Sequence, residues 1–226
     1  MLITKGIYGS RKKEEIMEDY AGKTVVITGG TSGLGFALAK ILGGRGASIV
    51  ITGRREEKGA EAVEKLQAEG VSARYLRQDV SSESDWNNLA FTVKSEFGGV
   101  DYLFNNAGVM LQPNALMKTS VSDWKWIMDT NFWGSLYGLR VFSGLMFTQP
   151  EGGRIVTTAS TAGVSAFSGW APYSVTKTAL VRLVENYQAE AIKFELDKVK
   201  YNVSLPGVFE SEIANSTLHR NEEYNN

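Results

Sequence analysis

Tyr173 and Lys177 stand four residues apart in the segment AFSGWAPYSVTKTALVRL, residues 166–183. A proline just before the tyrosine is tolerated near a helix start, and the apolar residues that follow have helical spacing, so a helix is predicted to begin here. Residues four apart share one helix face, which holds the phenol beside the ammonium group. Tyr8 and Lys12 have the same spacing in a polar segment. A surface pair without function therefore remains an alternative until other residues join the site.

A tyrosine held beside a lysine is suited to proton exchange with an alcohol. A free phenol has a pKa of about 10, which is too high for a base that works near neutral pH. A neighbouring ammonium group favours the phenolate and lowers that pKa, and the positive charge of an oxidised nicotinamide acts in the same direction. Beside a bound nicotinamide cofactor, the pair would serve hydride transfer to or from an alcohol carbon, with Tyr173 as base in oxidation and as acid in reduction. Lys177 would also hold the nicotinamide ribose.

Two further polar residues are candidates for the same site. Ser160 ends a predicted strand thirteen residues before Tyr173, and both can face one crevice because strand and helix are consecutive. The serine hydroxyl could bind the substrate oxygen and stabilise developing alkoxide charge. Asn131 lies inside a long predicted helix, residues 122–146. Its amide could anchor a water chain behind the lysine or simply bond to its own helix.

The composition excludes several other kinds of site. The 226 residues are 43% hydrophobic and 22% charged, which is typical of one soluble globular domain. A net charge of −1 gives no electrostatic case for nucleic acid or an anionic membrane. Without cysteine, and with His219 as the single histidine, no metal site, thiolate nucleophile or histidine triad is expected. We find no secretory signal or membrane-spanning run, so cytoplasmic residence is expected.

Alternating strands and helices must position these residues. Residues 1–16 are polar and predict a flexible N-terminal extension, followed by a single dinucleotide-binding catalytic domain over residues 17–226. Short apolar runs alternating with helical patterns predict an α/β fold, a Rossmann-like doubly wound parallel sheet with helices on both faces. Such sheets bind ligands beyond the carboxyl ends of their strands. The predicted strands are residues 23–28, 48–52, 73–80, 100–108, 154–160 and 200–207.

The turn TGGTSGLG after the first strand predicts a phosphate site. Gly29, Gly33 and Gly35 let the backbone turn tightly and approach a pyrophosphate, and the helix that follows offers free N–H groups at its positive end. The first two of these glycines are one residue further apart than in GxGxxG. A purely structural turn is the alternative.

The ends of the next strands bear on the choice of cofactor. Where an acidic residue would hold a ribose 2′-hydroxyl, the chain has Gly53, Arg54 and Arg55. An arginine can bind a 2′-phosphate bidentately, so NADP is expected in preference to NAD, although solvated charges at a helix start are the alternative. Asp79 could accept from the adenine amino group or cap the next helix. The amides of NNAG, residues 105–108, could line the cofactor path or form an ordinary turn.

Together, TGGTSGLG, NNAG, Asn131, Ser160, YSVTK and the PG dipeptide at 206–207 resemble the short-chain dehydrogenase/reductase family, in its NADP-preferring branch. The resemblance covers roughly residues 20–213 in order and spacing. It implies a catalytic tetrad of Asn131, Ser160, Tyr173 and Lys177. Beyond Tyr173 and Lys177, the cofactor contacts that it implies are Thr28, Gly29, Ser32, Gly33, Leu34, Gly35, Arg54, Asp79, Val80, Asn106, Gly108, Pro206, Gly207, Val208 and Ser211.

The C-terminal region departs from the family pattern. Ser211 stands where the family usually has a threonine near the nicotinamide carboxamide. Family members continue after the segment that follows Gly207 through more helix and a seventh strand. A missing C-terminal strand is therefore expected here, which would leave the sixth strand as an exposed sheet edge.

The substrate expected from the sequence is bulky and apolar or aromatic. Besides Ser160, the side chains that this topology brings nearest the crevice are Val109, Met110, Val164, Phe167, Trp170 and Phe209. Core packing explains some of them equally well. The identity of the alcohol or ketone, and the favoured direction, do not follow from the sequence.

Two other aspects of function are open at this point. The helices around residues 133–147 and 180–194 carry many large apolar residues, and such helices pair between subunits in the family, so a homodimer or homotetramer is expected. A non-redox epimerase or dehydratase of the same fold is the first alternative to an oxidoreductase. A catalytically silent nucleotide-binding protein is the second.

Overall fold

The computed structural model of the chain describes residues 20–208, 212–220 and 222–224. The predicted N-terminal extension over residues 1–16 lies outside the described residues. Phe209 and Ser211, two of the predicted site residues, lie outside them as well.

Six parallel strands form one sheet in the order β3-β2-β1-β4-β5-β6. The order reverses between β1 and β4, and ligands of such sheets bind outside the carboxyl ends of the strands at that point. The strands are β1 (Thr24–Thr28), β2 (Ser48–Gly53), β3 (Ala73–Arg77), β4 (Tyr102–Asn105), β5 (Gly153–Thr158) and β6 (Val199–Ser204). The predicted α/β fold with a doubly wound parallel sheet is confirmed, and β6 lies at an edge of this sheet.

Helices connect the strands and cover both faces of the sheet. They are α1 (Gly33–Gly43), α2 (Glu56–Ala68), α3 (Glu83–Phe97), α4 (Val121–Met128), α5 (Gly134–Phe147) and α6 (Ala171–Lys193). Short 3-10 segments lie at Leu116–Lys118, Thr161–Gly163, Glu212–His219 and Glu222–Tyr224. Across the described ranges no helix is both long and apolar enough to cross a membrane.

Alternating side chains of the strands build two hydrophobic cores. On one face Val26 packs with Trp86 of α3 and Phe142 of α5. On the other face Ile27 packs with Leu66 of α2, beneath α1 and α2. All five side chains are fully buried, and each such residue stabilises the fold by about 1.5–3 kcal/mol. The two cores hold the strands rigidly and so fix the loops at their carboxyl ends.

The helix predicted over residues 122–146 is interrupted in the structure. A π-helical segment, Asp129–Trp133, separates α4 from α5 and contains Asn131. In a π-helical turn the backbone hydrogen bonds span five residues instead of four. Such turns inside α-helices often mark functional sites. The prediction of one continuous helix was therefore wrong around Asn131.

Candidate active site

The carboxyl ends of the strands open onto a cavity of about 770 Å³. Its walls are the glycine turn after β1, the ends of β2 and β3, the turn after β4, the segments after β5 and β6, and the first turns of α6. A second cavity of about 190 Å³ adjoins it and shares Trp170 and Tyr173. The larger cavity thus lies where the strand order reverses, as the fold predicts.

The glycine turn brings backbone to the surface of this cavity. Gly29 and Gly33 have φ values of +64° and +51°, in the left-handed region that favours glycine. A Cβ on Gly35 would lie 2.4 Å from the Gly29 carbonyl oxygen, so a larger residue would not fit. The N-cap of α1, Ser32, makes no side-chain capping hydrogen bond, which leaves the first N–H groups of the helix available. These features fit a pyrophosphate.

Thr28 holds the turn in place without lining the cavity. Its hydroxyl accepts hydrogen bonds from the backbone N–H groups of Asn106 (2.9 Å) and Ala107 (3.0 Å). The Asn106 side-chain amide in turn donates to the Thr28 carbonyl at 3.0 Å. Thr28 is fully buried, whereas Asn106 and Gly108 do line the cavity. The prediction that Thr28 contacts the cofactor is therefore replaced by a role in joining β1 to the NNAG turn.

The ends of β2 and β3 form the part of the cavity expected to hold adenosine. Arg54, Asp79 and Val80 line it, as predicted. The Asp79 carboxylate accepts hydrogen bonds from the backbone N–H (3.0 Å) and the hydroxyl (2.7 Å) of Ser81. The helix cap itself is Ser82, whose hydroxyl accepts from the next turn. Asp79 therefore shapes the loop before α3 while one side of it faces the cavity.

Gln78 is a cavity residue that the sequence analysis missed. Its side chain is 1% exposed, lines the cavity and accepts a hydrogen bond from the Thr52 hydroxyl at 2.7 Å. Its Nε2 has no hydrogen-bond partner among the described residues. An orphaned buried amide is costly unless a ligand completes it, so Gln78 fits a nucleoside bound here. Its place near the end of the third predicted strand, and so at the carboxyl end of the sheet, is the signal that could have pointed to it.

Another part of the cavity wall is formed by Ser160, Tyr173 and Lys177. Tyr173 lies in the first turn of α6 and lines the same cavity as Ser160, which lies two residues beyond β5. Lys177 is only 2% exposed, and its Nζ donates to the Thr158 carbonyl at 2.8 Å. That Nζ lies 5.5 Å from the centre of the Tyr173 ring. The structure therefore brings together three of the four predicted catalytic residues on one wall.

Burial dominates the electrostatics of this wall. It lowers the pKa of Lys177 from its ordinary value of 10.5 to about 8, because the charged amine loses its hydration. Burial also raises the pKa of Tyr173, and the Ser160 hydroxyl opposes that effect only in part. The net direction of the Tyr173 pKa without cofactor is therefore upward, opposite to the lowering expected from the sequence.

Asn131, the fourth predicted residue, lies behind the cavity wall. Its Oδ1 accepts from the Val109 N–H at 2.7 Å, and its Nδ2 donates to the Val109 carbonyl at 2.9 Å. The amide therefore fixes the chain that follows the NNAG turn and does not bond to its own helix. The same Nδ2 also donates to the Thr176 hydroxyl at 3.2 Å. Asn131 is fully buried and does not line the cavity, and the expected water chain behind Lys177 stays a prediction.

Thr176 is a second residue that the sequence analysis missed. Its hydroxyl donates to the Tyr173 carbonyl at 2.7 Å while accepting from Asn131, and its side chain is fully buried. One threonine thus connects the π-helical segment to the turn of α6 that carries Tyr173 and Lys177. Its place within YSVTK was visible in the sequence, but its partner 45 residues away was not.

Apolar and aromatic side chains line the cavity beside Tyr173. The rings of Phe167 and Trp170 lie 5.7 Å apart at an angle of 30°. Both line the cavity together with Val109 and Met110, as predicted. Val164 does not line the cavity and is 61% exposed, so its predicted role in the wall is wrong. The remaining predicted residues that line the cavity are Ser32, Leu34, Pro206, Gly207 and Val208.

Comparisons with known proteins agree with this geometry. The family model described as short chain dehydrogenase matches residues 23–222. A C alpha-dehydrogenase of Sphingobium is 30% identical over 208 residues, which cover 92% of this chain and 67% of that protein. An A-factor type gamma-butyrolactone 1′-reductase of Streptomyces virginiae is 37% identical over 194 residues, covering 84% and 73%. A short-chain dehydrogenase/reductase of Burkholderia phymatum, solved in complex with NAD, is 33% identical with a TM-score of 0.88, covering 93% and 74%.

Proposed function

Because the chain belongs to the short-chain dehydrogenase/reductase family of oxidoreductases, we propose that it transfers a hydride between NADP(H) and a bulky, apolar secondary alcohol or ketone. The observation that carries this proposal is a single cavity that holds both the glycine turn and the wall of Ser160, Tyr173 and Lys177. Two relatives, a dehydrogenase and a reductase by name, support redox chemistry over epimerisation or dehydration.

In the reductive direction the proton comes from Tyr173. When bound, the cofactor supplies the hydride from C4 of its nicotinamide ring. The Tyr173 hydroxyl gives its proton to the carbonyl oxygen as the carbon is reduced, and the Ser160 hydroxyl donates a hydrogen bond to the same oxygen. Tyr173 is then reprotonated from solvent. In oxidation the phenolate form of Tyr173 takes the alcohol proton. Burial of Tyr173 raises its pKa and so disfavours the phenolate.

Lys177 supplies the positive charge that this cycle needs. With a pKa of about 8, the amine is mostly protonated at neutral pH although it is buried. A protonated amine 5.5 Å from the Tyr173 ring favours the phenolate whenever the tyrosine has given up its proton. The hydrogen bond from its Nζ to the Thr158 carbonyl holds the Lys177 side chain in the cavity wall. The remaining N–H groups of Lys177 would hold the nicotinamide ribose.

NADP preference rests on the residues after β2. Arg54, Arg55 and Lys58 all line the cavity, and β2 ends in Gly53 rather than in an acidic residue. A 2′-phosphate carries nearly two negative charges, so arginines here would favour it strongly. The similar Burkholderia phymatum protein, solved with NAD, supports a dinucleotide in this cavity. The proposed preference for NADP over NAD therefore depends on Arg54, Arg55 and Lys58.

Association into a homodimer or homotetramer is part of the proposal. Trp133 at the start of α5 is 43% exposed and packs against Tyr137, and Ile192 on α6 is 68% exposed. Large apolar side chains exposed to solvent favour burial against another subunit. Cytoplasmic residence also stays a prediction from the sequence.

A cofactor-oxidation screen tests the proposed function. We expect NADPH to be consumed in equal amounts with alcohol formed, faster with aryl or steroid-like ketones than with small polar ketones, because Phe167 and Trp170 line the cavity beside Tyr173. NADH serves as the matched cofactor and should show the higher KM. Equal rates on bulky and small ketones would contradict the proposed preference for bulky, apolar substrates. Epimerised or dehydrated product without net NADPH consumption would replace the oxidoreductase assignment.

A further inference from the structure

A buried threonine hydroxyl joins the helix that carries Tyr173 to the π-helical segment before α5. Thr176 is fully buried and does not line the large cavity. Its hydroxyl donates to the Tyr173 carbonyl at 2.7 Å and accepts from Asn131 Nδ2 at 3.2 Å. A hydroxyl has a single proton, which the bond to Tyr173 uses, so only an amide donor fits the second bond. A directed path of hydrogen bonds therefore runs from Asn131 through Thr176 to Tyr173.

The far end of this path is held by the segment that follows β4. Asn131 bonds to both the N–H and the carbonyl of Val109, at 2.7 and 2.9 Å. A Cβ on Gly108 would lie 3.3 Å from Asn131 Oδ1 and 3.4 Å from Lys177 Nζ, so this segment packs closely against the amide and the lysine. Gly108 and Val109 both line the cavity. Thr176 thus connects two walls of the cavity from behind.

The bond from Thr176 acts on the part of α6 that its own backbone holds least. Tyr173 is the third residue of α6, and the first four N–H groups of a helix lack partners inside it. A threonine in a helix commonly bonds to a carbonyl of its own preceding turn, and such a bond alone needs no function. Thr178 does this on the same helix: its hydroxyl donates to the Ser174 carbonyl at 2.9 Å and is exposed. Thr176 differs because its hydroxyl also binds a second element.

We propose that Thr176 is a positioning residue for the reduction: it fixes the first turn of α6 against the π-helical segment and so holds the Tyr173 hydroxyl where the substrate carbonyl binds. This inference rests on the oxidoreductase function proposed above. Thr176 touches neither substrate nor cofactor and acts through Tyr173. Because a displacement of about 1 Å can cost about a hundredfold in rate, loosening this turn slows the chemical step more than it weakens binding.

Thr176→Val tests this role, because valine keeps the branched shape of threonine and lacks the hydroxyl. We expect kcat for ketone reduction to fall by about tenfold to a hundredfold. The ketone KM and the NADPH Kd should stay within about twofold, because Thr176 does not line the cavity. Reduction in a single turnover should slow by the same factor as kcat, since the change lies in the chemical step. Steady-state and single-turnover kinetics with NADPH titration measure these quantities.

The hydroxyl, rather than the packing of the side chain, is identified by rescue. Thr176→Ser keeps the hydroxyl and should retain most of kcat, whereas Thr176→Ala lacks it and should be as slow as Thr176→Val. The comparison of serine with alanine also serves as the test if the valine variant does not fold. Asn131→Ala combined with Thr176→Val should be little slower than the slower single variant, because both interrupt the same path of hydrogen bonds.

Thr178→Val is the matched control, because it removes the same hydroxyl from a bond that stays within α6. It should leave kcat unchanged. If Thr176→Val keeps kcat within about twofold of wild type, or if Thr176→Ser is as slow as Thr176→Ala, the hydroxyl does not position Tyr173 and the inference is wrong. Either result with an active wild type leaves the proposed function intact, whereas a wild type that transfers no hydride to any ketone overturns both.

Discussion

Replacing Tyr173 with phenylalanine is expected to lower kcat for ketone reduction by roughly a thousandfold, within the range that general acid catalysis contributes. The substitution removes only the hydroxyl that gives its proton to the carbonyl oxygen. The ring remains in the first turn of α6, so NADPH affinity should stay within about twofold of wild type. Steady-state kinetics with the best ketone and NADPH titration measure the two quantities separately.

Tyr187→Phe is the matched control for that substitution. Tyr187 lies on the same helix, but its ring packs on Tyr201 at 5.2 Å, away from the cavity lining. The same loss of a hydroxyl there should leave kcat unchanged. If Tyr173→Phe kept kcat within tenfold of wild type, the proton would come from another group and the proposed mechanism would fail.

Lys177→Met should abolish most turnover and at the same time stabilise the protein. Burial lowers the pKa of Lys177 from 10.5 in the unfolded chain to about 8 in the folded state, which corresponds to a cost of the order of 3 kcal/mol below pH 8. Methionine removes that cost but also loses the hydrogen bond to Thr158, about 1 kcal/mol. The net gain of about 2 kcal/mol should raise Tm by about 5 °C without cofactor. kcat should fall by at least about a hundredfold, because the charge behind Tyr173 is lost.

The pH dependence of stability distinguishes the removal of a buried charge from a mere change in side-chain packing. Between pH 8 and 10.5 the folded wild type gives up a proton that the unfolded chain keeps, so wild-type stability rises with pH in that window. The advantage of Lys177→Met should therefore be largest below pH 8 and shrink toward pH 10. Thermal unfolding of both proteins across this range measures it, with Lys193→Met at the exposed end of α6 as control. A variant that is less stable at every pH would contradict the burial cost assigned to Lys177.

The elements that depend on local sequence could be predicted. The six strands, the glycine turn and the start of α6 follow from apolar runs, glycines and a proline within a few residues of one another. The meeting of Ser160, Tyr173 and Lys177 on one wall also followed, because strand and helix are consecutive in a parallel sheet.

The features that were missed depend on partners distant in the sequence. Asn131 interrupts its helix while bonding to Val109, 22 residues away. Gln78 is significant only because Thr52 takes one end of its amide, 26 residues away, and nothing in the described residues takes the other. The raised pKa of Tyr173 reflects burial by the whole fold rather than the adjacent lysine. His219, placed by the sequence in a polar tail, contacts arginines 164 and 165 residues away.

Isotope transfer is the most direct test of the hydride reaction assigned to this cavity. NADPH carrying deuterium at nicotinamide C4, on one face or the other, is incubated with a ketone that the enzyme reduces, and the alcohol is analysed by mass spectrometry. One labelled form should place one deuterium on the carbinol carbon and the other form none, because a fixed cavity presents a single face of the ring. Alcohol without deuterium from either form, or label on any other carbon, would contradict direct hydride transfer at Tyr173.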